Sequence, residues 1–432
     1  MILFSILSKN TLLFFAVCLL YTSCHKTTTS KDSLSHKNTE TPYQDTLSKQ
    51  LPLLPPDQAP DDIIVAANQP EAYLPLLKNK KIAIVGNQTS VIFKKEIDGG
   101  LPFTHLVDSL LRLEVNIIKV FAPEHGFRGK QDAAEVVVDG KDAITGLPII
   151  SLYGKNKKPN IEMLQGIDLV VFDIQDVGVR FYTYISTLHY VMQACAENNI
   201  PVMVLDRPNP NIHYVDGPVL EPEHSSFIGM HPVPLVYGMT IGEYAQMING
   251  ENWLTLDAKC DLTVIPLKNY DRKKSYHLPI RPSPNLPNDQ SIMLYPSLGL
   301  FEGTTMNAGR GTEMQFQIFG SPYLLKEKYT YTYTPQPNFG SKSPKYKNQL
   351  CYGMDLRSVQ PLNKVNLQWL FDAYQNTTNK KDFFKTASFT LHAGNTSLQK
   401  AIENNTPLSE VEALWKPDLE AFLKVRERYL LY

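Results

Sequence analysis

From Lys81 onward, short apolar runs alternate with amphipathic stretches. Lys81-Ile82-Ala83-Ile84-Val85-Gly86 is the first such run, and residues 116–121, 168–173 and 201–206 repeat the pattern. Strands buried on both faces read as unbroken apolar runs. Between them, residues 104–112 place Leu106, Val107, Leu110 and Leu111 on one helical face, with Thr104 as the expected cap. Residues 184–198 align Ile185, Leu188, Val191, Met192 and Cys195 in the same way. The pattern predicts an α/β fold: a Rossmann-like, doubly wound parallel sheet with helices on both faces. The stretch Arg281-Pro282-Ser283-Pro284-Asn285-Leu286-Pro287-Asn288 then interrupts it. Beyond that junction, the alternating Tyr and Thr of residues 329–333 predict a strand, and residues 408–432 a helical end with a Glu-rich polar face. The expected organisation is a Rossmann-like N-terminal domain over 62–285 and a smaller α+β C-terminal domain over 286–432.

The beginning of the chain follows a different pattern. Its apolar run, Leu12-Leu13-Phe14-Phe15-Ala16-Val17-Cys18-Leu19-Leu20, is far shorter than the roughly 20 residues that span a bilayer. It fits the apolar region of a secretory signal over residues 1–23. Tyr21-Thr22-Ser23-Cys24 resembles a bacterial lipoprotein box, with Cys24 as the lipidated residue. Residues 24–61, rich in Thr, Ser, Lys, Asn, Gln and Pro, read as a flexible tether. These features predict an envelope lipoprotein, anchored to a membrane and facing the periplasm.

Composition narrows the function classes. Of 432 residues, 43% are apolar, which excludes disorder over most of the chain. Lys plus Arg number 42 against 43 Asp plus Glu, without the basic excess of a dedicated nucleic-acid binder. Cys195, Cys260 and Cys351 show no C-x-x-C spacing and are expected to be buried free thiols. The histidines lack H-x-H and H-E-x-x-H spacing, and neither a G-x-G-x-x-G turn nor a Walker loop follows a predicted strand. No metal and no cofactor is expected.

Ligands of open parallel sheets bind outside the carboxyl ends of the strands. Here those ends are polar. The first gives Asn87 and Gln88, the second Glu124 and His125. The third gives Asp173, Gln175 and Asp176, followed by Arg180 and Tyr182, and the fourth gives Asp206, Arg207 and Asn209. Glu124 lies between Pro123 and Gly126, in a turn that would fix its carboxyl, and suits a general acid. His125 suits a partner that orients it. Asp173 and Asp176 suit a base, a nucleophile, sugar-hydroxyl acceptors or caps of the next helix. Arg180 and Arg310 suit carboxylate binding through the bidentate guanidinium. Gly238-Met239-Thr240-Ile241-Gly242 mimics a nucleophile elbow, but follows no strand of the main sheet.

Five segments stand in a telling order: Val85-Gly86-Asn87-Gln88-Thr89-Ser90, Phe121-Ala122-Pro123-Glu124-His125-Gly126-Phe127-Arg128-Gly129, the Asp173 to Tyr184 stretch, Leu205-Asp206-Arg207-Pro208-Asn209-Pro210, and Phe301-Glu302-Gly303-Thr304-Thr305. From about residue 80 to its end the chain resembles the exo-β-N-acetylmuramidases of the NamZ type. The resemblance implies a Rossmann-like domain and a smaller C-terminal domain with the active cleft between them. It implies release of N-acetylmuramic acid from the non-reducing end of peptidoglycan fragments, and it places the family's proposed catalytic glutamate on Glu124. Asn307-Ala308-Gly309-Arg310-Gly311-Thr312 is similar to the family's S-x-G-R-G-T stretch, with Asn307 where serine is usual.

Such a substrate gives the polar strand ends a purpose. The lactyl carboxylate of muramic acid calls for an arginine, and Asn87, Gln88, Gln175 and Asn209 offer amides to the N-acetyl group and hydroxyls. Glycoside cleavage generally uses two carboxyl groups. The expected order for the second is Asp176, then Asp173, then Glu302. The competing expectation is a non-catalytic lipoprotein that captures muropeptides or sugars in the same cleft.

Overall fold

The computed structural model describes residues 63–94, 101–129, 139–255 and 258–432. The signal, Cys24 and the tether lie outside the described residues.

Among the described residues, nine strands form in the first part of the chain: β1 (Ile82–Gly86), β2 (Val91–Phe93), β3 (Phe103–His105), β4 (Ile117–Ala122), β5 (Gly140–Lys141), β6 (Pro148–Ser151), β7 (Leu169–Asp173), β8 (Val202–Leu205) and β9 (Leu262–Ile265). Seven of them make one sheet in the order β5-β6-β4-β1-β7-β8-β9. All neighbours in it are parallel except β5 and β6. The chain starts at the centre with β1, builds outward through β4 and β6, returns to the other side of β1 with β7, and continues to β9. This is the doubly wound arrangement that the apolar runs predict. β1 and β7 are buried throughout, as central strands covered on both faces must be. The outer strands β6, next to the edge strand β5, and β9, at the opposite edge, escaped the sequence reading. β6 begins with a proline, and β9 is only partly covered, so neither shows a full apolar run.

The predicted helices form with adjusted ends. Helix Leu106–Arg112 is capped by His105 rather than Thr104. The His105 Nδ1 accepts from the Val107 amide at 3.2 Å, and Nε2 donates to the Asn87 carbonyl at 2.9 Å. Helix Tyr184–Glu197 is buried around nearly its whole circumference and packs against helix Ile241–Gly250, which itself lies against β8 and β9. Thr240, the residue of the mimic elbow, accepts from the Glu243 amide in a capping box, a purely structural role. Cys195, Cys260 and Cys351 are free and buried, as expected.

The C-terminal part carries a three-stranded antiparallel sheet of β10 (Ile318–Ser321), β11 (Tyr331–Tyr333) and β12 (Cys351–Asp355), with β12 in the middle. Its helical end is two helices, Leu408–Leu414 and Lys416–Arg426, rather than one. Pro417 falls in the first turn of the second helix, where proline costs no hydrogen bond but prevents continuation from the first.

The last residues return to the main sheet. The Tyr432 hydroxyl donates to Asp206 Oδ2 at 2.7 Å, and Thr240 Oγ1 donates to the same oxygen at 2.8 Å. The Gly242 and Arg207 amides donate to Oδ1. Burial, with the neighbouring Glu243 charge, pushes the Asp206 carboxyl up to about 7. A carboxyl whose folded-state pKa is raised keeps a proton that the unfolded chain loses. Its contribution to stability therefore falls as pH rises from the ordinary carboxylate range toward about 7. Asp206→Asn should remove that component. In urea unfolding, the stability of the variant should fall less than that of the wild type between about pH 5 and about pH 7.

Candidate active site

The second polar strand end forms a rigid turn. After β4, the Gly126 amide donates to the Pro123 carbonyl at 3.0 Å, and His125 adopts the left-handed conformation with φ of 69°. A non-glycine residue rarely adopts that conformation unless its surroundings impose it. They do so through the next residues. Arg128 donates to both Asp108 and Asp142 and lies 4.5 Å from the Phe127 ring centre, and Phe127 packs edge-on against His105. Gly129, with φ of 68°, lets the turn close onto Gln88, whose side chain a Cβ there would meet at 2.9 Å. Glu124 thus projects from an anchored loop.

Its carboxyl meets two hydroxyls. Thr183 Oγ1 donates to Glu124 Oε2 at 2.8 Å, and the Tyr153 hydroxyl bonds the same side chain. Burial, then the Glu124 charge, raises the Tyr153 pKa, so the phenol stays protonated and donates. Behind the turn, Tyr184 reaches the Glu124 carbonyl at 3.4 Å and accepts from Asn87 Nδ2 at 2.9 Å.

Glu124 and His125 line a cavity of about 230 Å³, together with Tyr153, Phe181, Tyr182, Thr183, Phe227, Ser283, Asn285, Tyr295, Glu302, Arg310, Phe316 and His392. The far wall is charged. Arg310 Nε donates to Glu302 Oε1 at 3.1 Å, and its guanidinium lies over Phe316 at 5.0 Å. Among the described residues its terminal nitrogens make no hydrogen bond, so they can grip an anion. Lys345 sits beneath, its ammonium within 3.3 Å of the carbonyls of Phe301, Glu302, Thr304 and Met306. Burial alone would raise the Glu302 carboxyl. The charges of Arg310 and Lys345 outweigh it and hold the group below the ordinary carboxylate value. His392 Nδ1 lies 2.8 Å from the Ser388 carbonyl and donates to it, while burial lowers the ring's pKa. A neutral ring results, with Nε2 as an acceptor. Asn307 serves where the family pattern has serine. Its Nδ2 donates to the Arg310 and Lys345 carbonyls at 3.0 and 2.9 Å, tying the arginine loop to the lysine. Among the described residues, the one group with metal-ligand spacing is Glu221, Glu223 and His224, away from the cavity lining.

Of the residues expected at the site, the fold brings Glu124, His125, Tyr182, Glu302 and Arg310 together in the cavity. The others form the framework behind it, a correction to the expectation that they reach the substrate. Asp173 is fully buried, with both oxygens taken by Arg207 at 2.6 and 2.9 Å. Asp176 is buried, accepts from the Tyr237 hydroxyl and the Gly178 amide, and is pushed by burial to about 6. Asp206 binds the chain end. Gln88 donates to the Pro282 carbonyl at 3.1 Å, Gln175 to the Asp176 and Pro208 carbonyls, and Asn209 to the Met239 carbonyl. Gln88 is taken by the proline-rich junction, and the others bond side chains and carbonyls of neighbouring loops. The proline-rich junction lies over the ends of β1 and β7, where Tyr182 also donates to the Pro282 carbonyl at 2.7 Å.

The N-terminal model of the exo-β-N-acetylmuramidase NamZ matches residues 82–290, and its C-terminal model residues 293–432. The chain belongs to the NamZ family. It is 39% identical over 379 residues, 83% of this chain and 89% of the relative, to the peptidoglycan β-N-acetylmuramidase NamZ of Bacillus subtilis. Two crystal structures of DUF1343 family proteins from Bacteroides fragilis resemble it. One has a TM-score of 0.77 at 44% identity and the other 0.72 at 29%, each match covering 86% of this chain and 99% of the other.

In this member of the NamZ family, Arg180 holds the walls in place rather than touching a ligand. It is wholly buried. Nη1 donates to the Pro218 and Val233 carbonyls at 2.6 and 2.9 Å, and Nη2 to those of His392 and Ala393 at 3.0 and 2.7 Å. The last pair ends helix Thr386–Ala393, where a cation also meets the negative end of the helix dipole. Lysine keeps the charge but has no planar fork. Arg180→Lys should therefore cost about 2–4 kcal/mol in urea unfolding, the scale of two buried carbonyls left unpaired.

Proposed function

We propose that this protein removes N-acetylmuramic acid from the non-reducing end of peptidoglycan fragments, with Glu124 as the general acid. The observation that carries this reading is the pairing, across one cavity, of a carboxyl held by two hydroxyls with an arginine whose terminal nitrogens make no hydrogen bond among the described residues. A glycosidic oxygen placed against Glu124 receives its proton as the bond to the anomeric carbon breaks, so the departing sugar leaves as a neutral alcohol. Positive charge then develops on the muramyl ring. Glu302, kept ionised by Arg310 and Lys345, is the second carboxyl facing that space. The terminal guanidinium nitrogens of Arg310 suit the lactyl carboxylate, which distinguishes muramic acid from N-acetylglucosamine. A cavity of about 230 Å³ falls below the roughly 300–1,000 Å³ of most small-molecule sites. So short a space is in keeping with attack from a chain end rather than midway along a polymer. Membership of the NamZ family supports catalysis over mere capture of sugars. A lipid anchor on Cys24 would keep the enzyme in the envelope beside its polymer.

Glu124→Gln should fold normally and lose about 10²–10⁴-fold in release of para-nitrophenol from the N-acetylmuramide. Turnover within tenfold of wild type would remove Glu124 from the acid role. Arg310→Lys should weaken binding of N-acetylmuramic acid, measured by calorimetry, by about tenfold more than binding of N-acetylglucosamine, since the bidentate grip is lost.

A further inference from the structure

The two ends of the cavity have different chemistry. Arg310 contacts Glu302 and Phe316. At the other end Tyr153 bonds Glu124, and the Phe227 ring lies 6.1 Å from the Tyr153 ring. Phe227 sits with Ile228 at the tip of a two-residue hairpin, whose Ser226 and Gly229 exchange backbone hydrogen bonds of 2.7 and 3.0 Å. Tyr190 lies nearly parallel to Phe227 at 6.2 Å, and the Lys157 ammonium is 4.6 Å from its ring centre. Phe227 and Tyr190 are half-buried, and neither belongs to the apolar core. The core gives no reason for a phenyl ring on a hairpin tip at a cavity wall.

The geometry points to Phe227 and Tyr153 as the seat of the departing sugar, the N-acetylglucosamine residue on the reducing side of the cleaved bond. This assignment rests on the muramidase reading above. If Glu124 protonates the bridging oxygen and the lactyl group lies against Arg310, the sugar carrying that oxygen must extend past Tyr153 onto Phe227. The weakly positive C–H face of a pyranose suits the negative face of an aromatic ring. Lys157, on a flexible and partly exposed stem, can move aside and offer its three donors to sugar hydroxyls. Tyr153 then has two duties, a hydrogen bond to the acid and a flank for the leaving sugar, whereas Phe227 has only the second.

Two substrates separate this from the parent reading: N-acetylmuramyl β-fluoride, which has no second sugar, and the disaccharide in which N-acetylmuramic acid is β-1,4-linked to N-acetylglucosamine. Phe227→Ala should lower kcat/KM for the disaccharide by about tenfold, the upper range of one aromatic contact, and leave the fluoride within about twofold. Phe227→Tyr, which keeps the ring, should retain disaccharide activity. An equal loss on both substrates, or no loss on either, would overturn the assignment while leaving the muramidase reading intact. Failure of the wild-type protein to cleave either substrate would instead overturn the muramidase reading itself.

Discussion

A single buried guanidinium holds the cleft together. Arg180 leaves the segment that supplies Phe181, Tyr182 and Thr183 to the cavity and meets no carboxylate. Its four acceptors are backbone carbonyls, two flanking the loop that carries Phe227 and two ending the helix that carries His392. Three walls from distant parts of the chain therefore share one cation. Carbonyl dipoles must replace water around it, and burial pulls its pKa down to about 9, still well above neutrality. Gly394 makes the contact possible. It ends the helix with φ of 81°, and a Cβ there would lie 2.5 Å from Arg180 Nη2. The requirement for an arginine here is geometric: a planar fork with several donors, aimed at once into two segments.

The site's displacement from the centre of the sheet follows from the same economy of polar groups. In an open doubly wound sheet, the crevice between the first strand and the strand that reverses the winding is the usual ligand position. Here that crevice lies between β1 and β7 and is filled from within. The Asn87 side-chain oxygen accepts from Thr89, Thr89 Oγ1 accepts from the Gln175 amide, and Asp173 pairs with Arg207. The proline-rich junction seals it. The open space moves one strand over, to the end of β4, where Glu124 stands. The cavity and the closure of the sheet use different strand ends, and so neither set of side chains has to serve both.

This division explains what could be read from the sequence. Residue type and position along a strand are local properties, and they located the polar strand ends, the anchored turn of Glu124 and the doubly wound order. Whether a polar strand end faces a ligand or a covering segment depends on residues a hundred or more positions away. Gln88 looks like a sugar contact until the Pro282 carbonyl is placed over it. The motif around Asp173 reads as catalytic or as structural with equal ease, since a buried ion pair and an active-site pair use the same residue types. Tyr153, Thr183, Phe227, Ser283, Asn285 and His392 carried no local signal. His392 lies on an ordinary short helix, and its one tell is the Ser388 carbonyl four residues back, which fixes the neutral tautomer.

The electrostatics of the cavity form a gradient rather than a uniform field. Lys345 and Arg310 place two cations under one end, with Glu302 between them. The other end offers hydroxyls and rings. An anionic sugar entering such a space has one favourable orientation, its carboxylate toward the cations and its anomeric substituent toward Glu124. Reversal would move the carboxylate away from both cations and leave the guanidinium without a partner, a penalty larger in a partly dehydrated space than in water. On the proposed reading, that charge pattern selects the terminal muramyl residue and also sets which of its bonds meets Glu124.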